Sequence, residues 1–179
     1  MKNFLISILR ASALPLLGCA VILFGILIWW GLFTSVTPEI KETGYRYAYL
    51  DAEGPYYKLT AKRGEVDGLL RQQGIEPGSS IAIIYDDPRA TPKDKLRART
   101  GFVIDANAAP KEPLKVDVIP PRRVVSVSIK AHPFIAYGKT YGALLEYAKA
   151  HDMPLRLPTV ELYDFSVLTV EMPLEESRP

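Results

Sequence analysis

Two stretches of this chain match each other, and the match limits the folds open to it. Gly54-Pro55-Tyr56 is followed by Leu69-Leu70 and then by Ile83-Ile84-Tyr85-Asp86; His132-Pro133-Phe134 is followed by Leu144-Leu145 and then by Glu161-Leu162-Tyr163-Asp164. Pro55 to Tyr85 and Pro133 to Tyr163 are the same distance apart. The local patterns around these anchors agree. Tyr45 to Leu50 alternates as a strand does, Tyr56 to Gln73 reads as a helix, and Ser80 to Tyr85 and Arg97 to Asp105 read as strands. In the second half Leu114 to Ile119 reads as extended and Arg123 to Lys130 as a strand. Ile135 to His151 then reads as a helix, and Pro158 to Asp164 and Val167 to Met172 as strands. The pattern predicts an α+β domain made by duplication of a strand-helix-strand-strand unit, with an antiparallel sheet and two helices around a central cleft.

A second feature lies ahead of this domain. From Ala11 to Phe33 the chain carries no charge, long enough to cross a bilayer core of roughly 30 Å, and Trp29, Trp30 and Phe33 stand at its far end, where aromatic rings settle at a membrane interface. The expectation is an uncleaved transmembrane anchor over 11–33, after a basic segment 1–10 and before a linker 34–43. A domain over 44–174 and a tail 175–179 complete the division. A cleaved signal peptide and a lipoprotein signal at Leu16-Leu17-Gly18-Cys19 are the competing readings. Both fit badly, because the most apolar run lies beyond Cys19. Lys2 and Arg10 before the span set a slight bias towards a domain outside the cytoplasm, periplasmic or extracytoplasmic, against Lys41 and Arg46 after it.

Charge narrows the partners. The chain has 22 basic and 20 acidic side chains, and leaving out Lys2 and Arg10 makes the two equal. A domain without net charge or a basic block lacks the electrostatic footprint of nucleic-acid binding. No phosphate loop, nucleophile elbow or zinc spacing is present, so no cofactor and no metal is expected. Asp86 and Asp87 with Pro88 read as turn chemistry, pairing with Arg97 or Arg99, rather than as a metal site. His132 and His151 read as helix-end residues.

One carboxylate stands apart. On the strand Pro158 to Asp164, Thr159, Glu161 and Tyr163 share a face. Aligning Tyr163 with Tyr85 sets Glu161 against Ile83, an aliphatic position. A carboxylate at the counterpart of a core position is either paired or functional, since burying it alone is costly. The other reading, a solvated strand position, stays open on these residues alone. Tyr45, Tyr47 and Tyr49 read as a strand face packed on a helix, with ligand contact the other reading for Tyr47 or Tyr49; Tyr137 and Tyr141, one helical turn apart, read as core.

The run Ile81-Ala82-Ile83-Ile84-Tyr85-Asp86-Asp87-Pro88, followed by Lys95-Leu96-Arg97 and Gly101, resembles the GyrI-like small-molecule-binding family, and Gly54-Pro55-Tyr56 and Pro158 to Tyr163 support it. The resemblance covers about Glu39 to Leu174. With an apolar span directly before it, the chain looks most like the membrane-anchored branch that includes a eukaryotic testis-expressed ER-phagy receptor, although the short tail after Leu174 does not match that receptor's long one. The resemblance implies a pseudo-symmetric fold around a ligand cleft, with a glutamate at the position of Glu161 meeting the charge of a lipophilic cation. By position it also nominates Tyr47, Tyr49 and Tyr163 as an aromatic wall. The implied function is a membrane-tethered binding domain for a small amphipathic or cationic molecule, held in the lipid bilayer through 11–33, its protein partner unknown. A small-molecule hydrolase using the same cleft and a membrane-anchored protein-interaction module are the alternatives, with a haem-binding variant more remote.

Overall fold

The computed structural model describes residues 17–175. Six strands and three helices account for most of it. In chain order these are helix α1 (17–29), strand β1 (Glu39–Glu53), a 3₁₀ turn Tyr56–Lys58 running into helix α2 (Leu59–Gln72), and strands β2 (Ser80–Ile84), β3 (Arg97–Val103) and β4 (Lys115–Lys130). Helix α3 (Pro133–Ala150) and strands β5 (Thr159–Asp164) and β6 (Val167–Pro173) follow. All neighbouring strands are antiparallel, and the sheet closes on itself in the order β1-β3-β2-β5-β6-β4. The order strand, helix, strand, strand therefore occurs twice, and in each half the last strand lies between the other two.

Both β1 and β4 are longer than the sequence pattern suggests. Glu39 to Thr43, expected as linker, pairs with β4 from Ser126 to Arg122. Pro120 and Pro121, which divide β4 on paper, sit instead at an irregularity opposite Gly44, where the β1–β4 register shifts. A Cβ on Gly44 would come within 2.9 Å of the Pro121 nitrogen, so glycine lets the bulge close.

Alternation sorts the side chains into two sets. Tyr47, Tyr49, Ile81, Ile83 and Val160 turn into the barrel and are buried there. The outer faces are covered by the helices. Val66 and Leu70 of α2 pack on Ala48, with Ile104 and Leu114 beside them. Ala136, Ala143, Leu144 and Ala148 of α3 pack on Val125, Val127, Ile129, Leu168, Val170 and Met172. Thus α2 covers β1 and β3, and α3 covers β4 and β6. The central pair, β2 and β5, has no helix lying over it.

The anchor expectation changes here. Among the described residues no helix is long and apolar enough to cross a membrane. Helix α1 ends at residue 29, about 20 Å of helix at the usual rise, because Gly31 takes a left-handed φ of +89° and the chain turns through residues 30–33. Residues 11–16 of the expected span lie outside the described residues. Trp30 is not a free interfacial ring, since it stacks on His132 with centroids 4.2 Å apart.

Candidate functional site

Because β2 and β5 lie uncovered between two helices, a hollow of about 480 Å³ remains above them. Its floor is Ala82, Ile84, Thr159 and Glu161. Register places Ala82 directly beside Glu161 at the middle of the β2–β5 pair, and the small methyl of Ala82 leaves the carboxylate room above it. One wall comes from the start of α2 and the turn before it, Tyr56, Tyr57, Leu59, Thr60 and Arg63. The other is a stripe of α3, Tyr137, Tyr141 and Leu145, spaced so that all three fall on one helix face. Leu155 and Leu157 close the side, and the Asp86–Arg89 loop forms part of the rim.

The polar groups converge on Glu161. The Tyr141 hydroxyl donates to Glu161 Oε1 at 2.7 Å and lies 3.1 Å from Thr159 Oγ1. The Tyr137 hydroxyl, one turn away on α3, also favours the ionised carboxylate. Arg63 is the nearby cation, but its Nη1 bonds Ser80 Oγ at 3.3 Å. Glu161 keeps some accessible surface, and that part belongs to the cavity wall. Removal from bulk water pushes its pKa up to about 7, against the downward pull of the Tyr141 bond, the Arg63 charge and the Tyr137 bond. Burial, with the carboxylate beside it, pushes the Tyr137 hydroxyl up to about 12 and Tyr141 well above its ordinary value. Near neutrality the site is therefore a carboxyl group close to its midpoint, held by neutral phenols in apolar surroundings.

The rim is made of fixed ion pairs. Asp86 takes Arg97 through two bonds of 2.9 and 3.0 Å and the Arg97 amide at 2.8 Å. Asp87 takes Arg89 at 2.6 Å. Tyr56 is pinned by its hydroxyl, which donates to the Asp86 carbonyl at 2.7 Å.

The aromatic wall foreseen from sequence is elsewhere. Tyr47 and Tyr49 point into the barrel, on the opposite face of the sheet from Glu161, and are 2% and 6% exposed. They enclose a cation of the protein's own. The Arg99 guanidinium lies 4.6 Å from the centre of the Tyr49 ring, bonds Tyr47 Oη at 3.3 Å and pairs with Asp117 at 2.5 Å. Tyr163 shares the Glu161 face but packs against the α3 core and is not part of the cavity wall. The match of Glu161 with Ile83 does not extend to facing, because Ile83 turns into the barrel and Glu161 turns out of it. Of the four nominated residues, only Glu161 lines the hollow. The residues missed are Tyr137 and Tyr141. Their spacing with Leu145 is visible in the sequence but cannot be told from an ordinary core stripe.

Residues 37–168 match the family model of the GyrI-like small molecule binding domain, and the chain belongs to this family. Solved structures share the fold. The EcmrR C-terminal domain aligns with a TM-score of 0.61 at 15% identity, covering 79% of this chain and 99% of that one. EcmrR in a DNA complex aligns at 0.63 and 12% identity, over 98% of this chain and 70% of that one. SAV2435 bound to tetraphenylphosphonium aligns at 0.52 and 10% identity, over 78% of this chain and 94% of that one. No curated protein sequence matches the chain. The matches give the family and do not support the membrane-anchored ER-phagy branch.

Proposed function

We propose that this protein is a membrane-associated binding domain for a small amphipathic cation, with Glu161 as the charge partner and Tyr137 and Tyr141 as the aromatic wall. The observation that carries the reading is a carboxylate facing an apolar cavity with the Tyr141 phenol as its hydrogen-bond donor. Such a group is costly to ionise when the cavity holds no charge and favourable once a cation arrives, because the cation restores what desolvation removed. Rings beside the carboxylate add cation–π attraction and apolar contact. A relative of the same fold in complex with tetraphenylphosphonium, a lipophilic cation, supports the ligand class. The repeated strand-helix-strand-strand order supports a duplicated origin of the two halves. Balanced charge over the domain argues against a nucleic-acid face. The uncharged segment 11–33 supports attachment to a bilayer, with the domain on the extracytoplasmic side.

Calorimetric titration of the full chain in detergent micelles with tetraphenylphosphonium tests the binding. Glu161→Gln is expected to weaken it by about tenfold or more, the scale of a lost charge-assisted contact. Wild-type affinity should fall as pH drops below about 7, where Glu161 becomes protonated, while the variant stays flat. Equal affinity of the two proteins, or no binding by the wild type, overturns the reading. A second reading, hydrolysis of a small electrophile, draws on the same pair, since a carboxyl near neutrality 2.7 Å from a phenol suits general acid–base chemistry. Turnover of activated esters that is lost in Glu161→Gln would favour it.

A further inference from the structure

The three most exposed aromatic side chains among the described residues gather at one end of the fold. Lys130, the last residue of β4, pairs with Val167, the first of β6, and Asp164 pairs with the same Val167. The β5–β6 turn at Phe165 and the β4–α3 junction at His132 are therefore at one end of the sheet. The end of α1 is there too. The His132 amide donates to the Trp30 carbonyl at 2.9 Å. Gly31 approaches so closely that a Cβ on it would fall 2.9 Å from Ala131 Cβ.

At this end Phe165 is 96% exposed, Phe134 88% and Trp29 85%. Phe165 also holds a left-handed φ of 50°, which is unfavourable for a bulky residue. Nothing in the fold repays that conformation by burying the ring. Helix α1, which leads to the same end, leaves four consecutive apolar residues exposed, Val21, Ile22, Leu23 and Phe24. Four in a row cannot share one helix face, so α1 is apolar all round and calls for apolar surroundings on every side.

We infer that this end is a bilayer-docking surface, with α1 in the lipid and the Phe134 and Phe165 rings at the headgroup level. A flat protein partner would cover one side of α1; a bilayer covers all of them. The chain before α1 is uncharged back to Ala11, and aromatic rings at the junction of an apolar helix and a folded domain are where a membrane interface favours them. A consequence rests on the binding reading above. Phe134, Tyr137, Tyr141 and Leu145 follow one another along one side of α3, from the docking end into the cavity. Glu161 lies three residues before Asp164, the last residue of β5, about 10 Å at the strand rise. A cation dissolved at the headgroup level thus has a short aromatic path to the carboxylate.

The test uses the full chain reconstituted into phosphatidylcholine vesicles. Trp29→Phe and Trp30→Phe remove the native indoles, and Phe165→Trp places a reporter at the turn. Emission is compared between ordinary vesicles and vesicles whose lipids carry bromine on one acyl chain. At least twofold lower emission in brominated vesicles is expected. Phe134→Trp in the same background provides an independent second reporter with the same expectation. Equal emission in both vesicle types, with quenching by aqueous iodide, overturns the docking surface even if the chain floats with the vesicles through α1. A chain that does not float with vesicles overturns both docking and membrane attachment, and leaves the micelle titration of Glu161 standing or falling by itself.

Discussion

Glu161 and Glu171 sit on neighbouring strands, yet they answer to different sides of the same wall. Val160 pairs with Glu171 across β5 and β6, and Glu161 pairs with Val170, so the two carboxylates point to opposite faces. Burial raises the pKa of both. Glu171, 2% exposed, is fitted to its place: Thr43 Oγ1 donates to one carboxylate oxygen at 2.9 Å, and Tyr45 Oη to the other at 2.8 Å. Arg122 and Lys41 add favourable charge. Glu161 has donors as well, but beside them is a hollow instead of packed side chains. The two tyrosine pairs differ in the same way. Tyr47 and Tyr49 hold Arg99; Tyr137 and Tyr141 face the space a ligand would need. A buried carboxylate is a candidate binding group when the fold leaves room beside it, and part of a structural network when the fold fills that room.

The largest expected effect breaks the filled side. Glu171→Ala should cost about 3–5 kcal/mol of stability, because it leaves buried hydroxyls without their acceptor and nearby cations without their counter-charge. Urea unfolding measures it, and a loss below about 1 kcal/mol would erase the distinction between the two glutamates. Next is Arg99→Met, which removes the cation shared by Tyr49 and Asp117. A loss of about 2 kcal/mol is expected, with tetraphenylphosphonium affinity unchanged within about twofold. A large loss of affinity would move the ligand to the barrel interior.

Glu161→Gln should go the other way. A carboxyl whose folded pKa is raised to about 7, from 4.5, is bound more tightly to its proton in the folded state. Its contribution therefore favours folding at low pH and is lost as pH rises from about 4.5 to about 7. The ligand-free variant should match the wild type near pH 4 and exceed it by about 1–2 kcal/mol at pH 8, a discounted share of the full shift. Thermal melts at the two pH values read this directly. A variant less stable than wild type at pH 8 would place Glu161 with Glu171 as a structural group.

The sequence discloses these two sides unequally. Alternation and turn residues located all six strands, since β-branched and aromatic runs bounded by Gly, Pro and Asp leave few other choices. The Asp86–Arg97 pairing was also legible, from turn chemistry and nearby opposite charge. The facing of β5 relative to β2 was not, because it depends on strand register. Matching Tyr163 with Tyr85 set Glu161 against Ile83, which faces into the barrel, whereas Glu161 faces out beside Ala82 of the paired strand. Nor could Tyr47 and Tyr49 be told from a ligand wall, as the cation they hold comes from Arg99, half a domain away in the chain. Tyr137 and Tyr141 have the spacing of a core stripe. Only the absence of a helix over β2 and β5 turns that stripe into a cavity wall.

Tyr141→Phe is the finest test of the open side. The Tyr141 hydroxyl bonds the carboxylate at 2.7 Å and lowers its pKa, against the upward push of burial. A ring without the hydroxyl keeps the shape and apolar contact of the wall and removes that opposing bond. The Glu161 midpoint should then move further upward, so that at pH 7 a larger share of the carboxyl is protonated and must ionise before a cation can pair with it. The expected cost at pH 7 is about 1 kcal/mol, roughly fivefold in affinity, shrinking as the pH is raised to 9. Titrations at both pH values separate this from simple loss of packing, which would weaken binding equally at each. An unchanged pH profile would mean that Tyr141 only fills space, and the contrast with the closely fitted Glu171 would rest on the cavity alone.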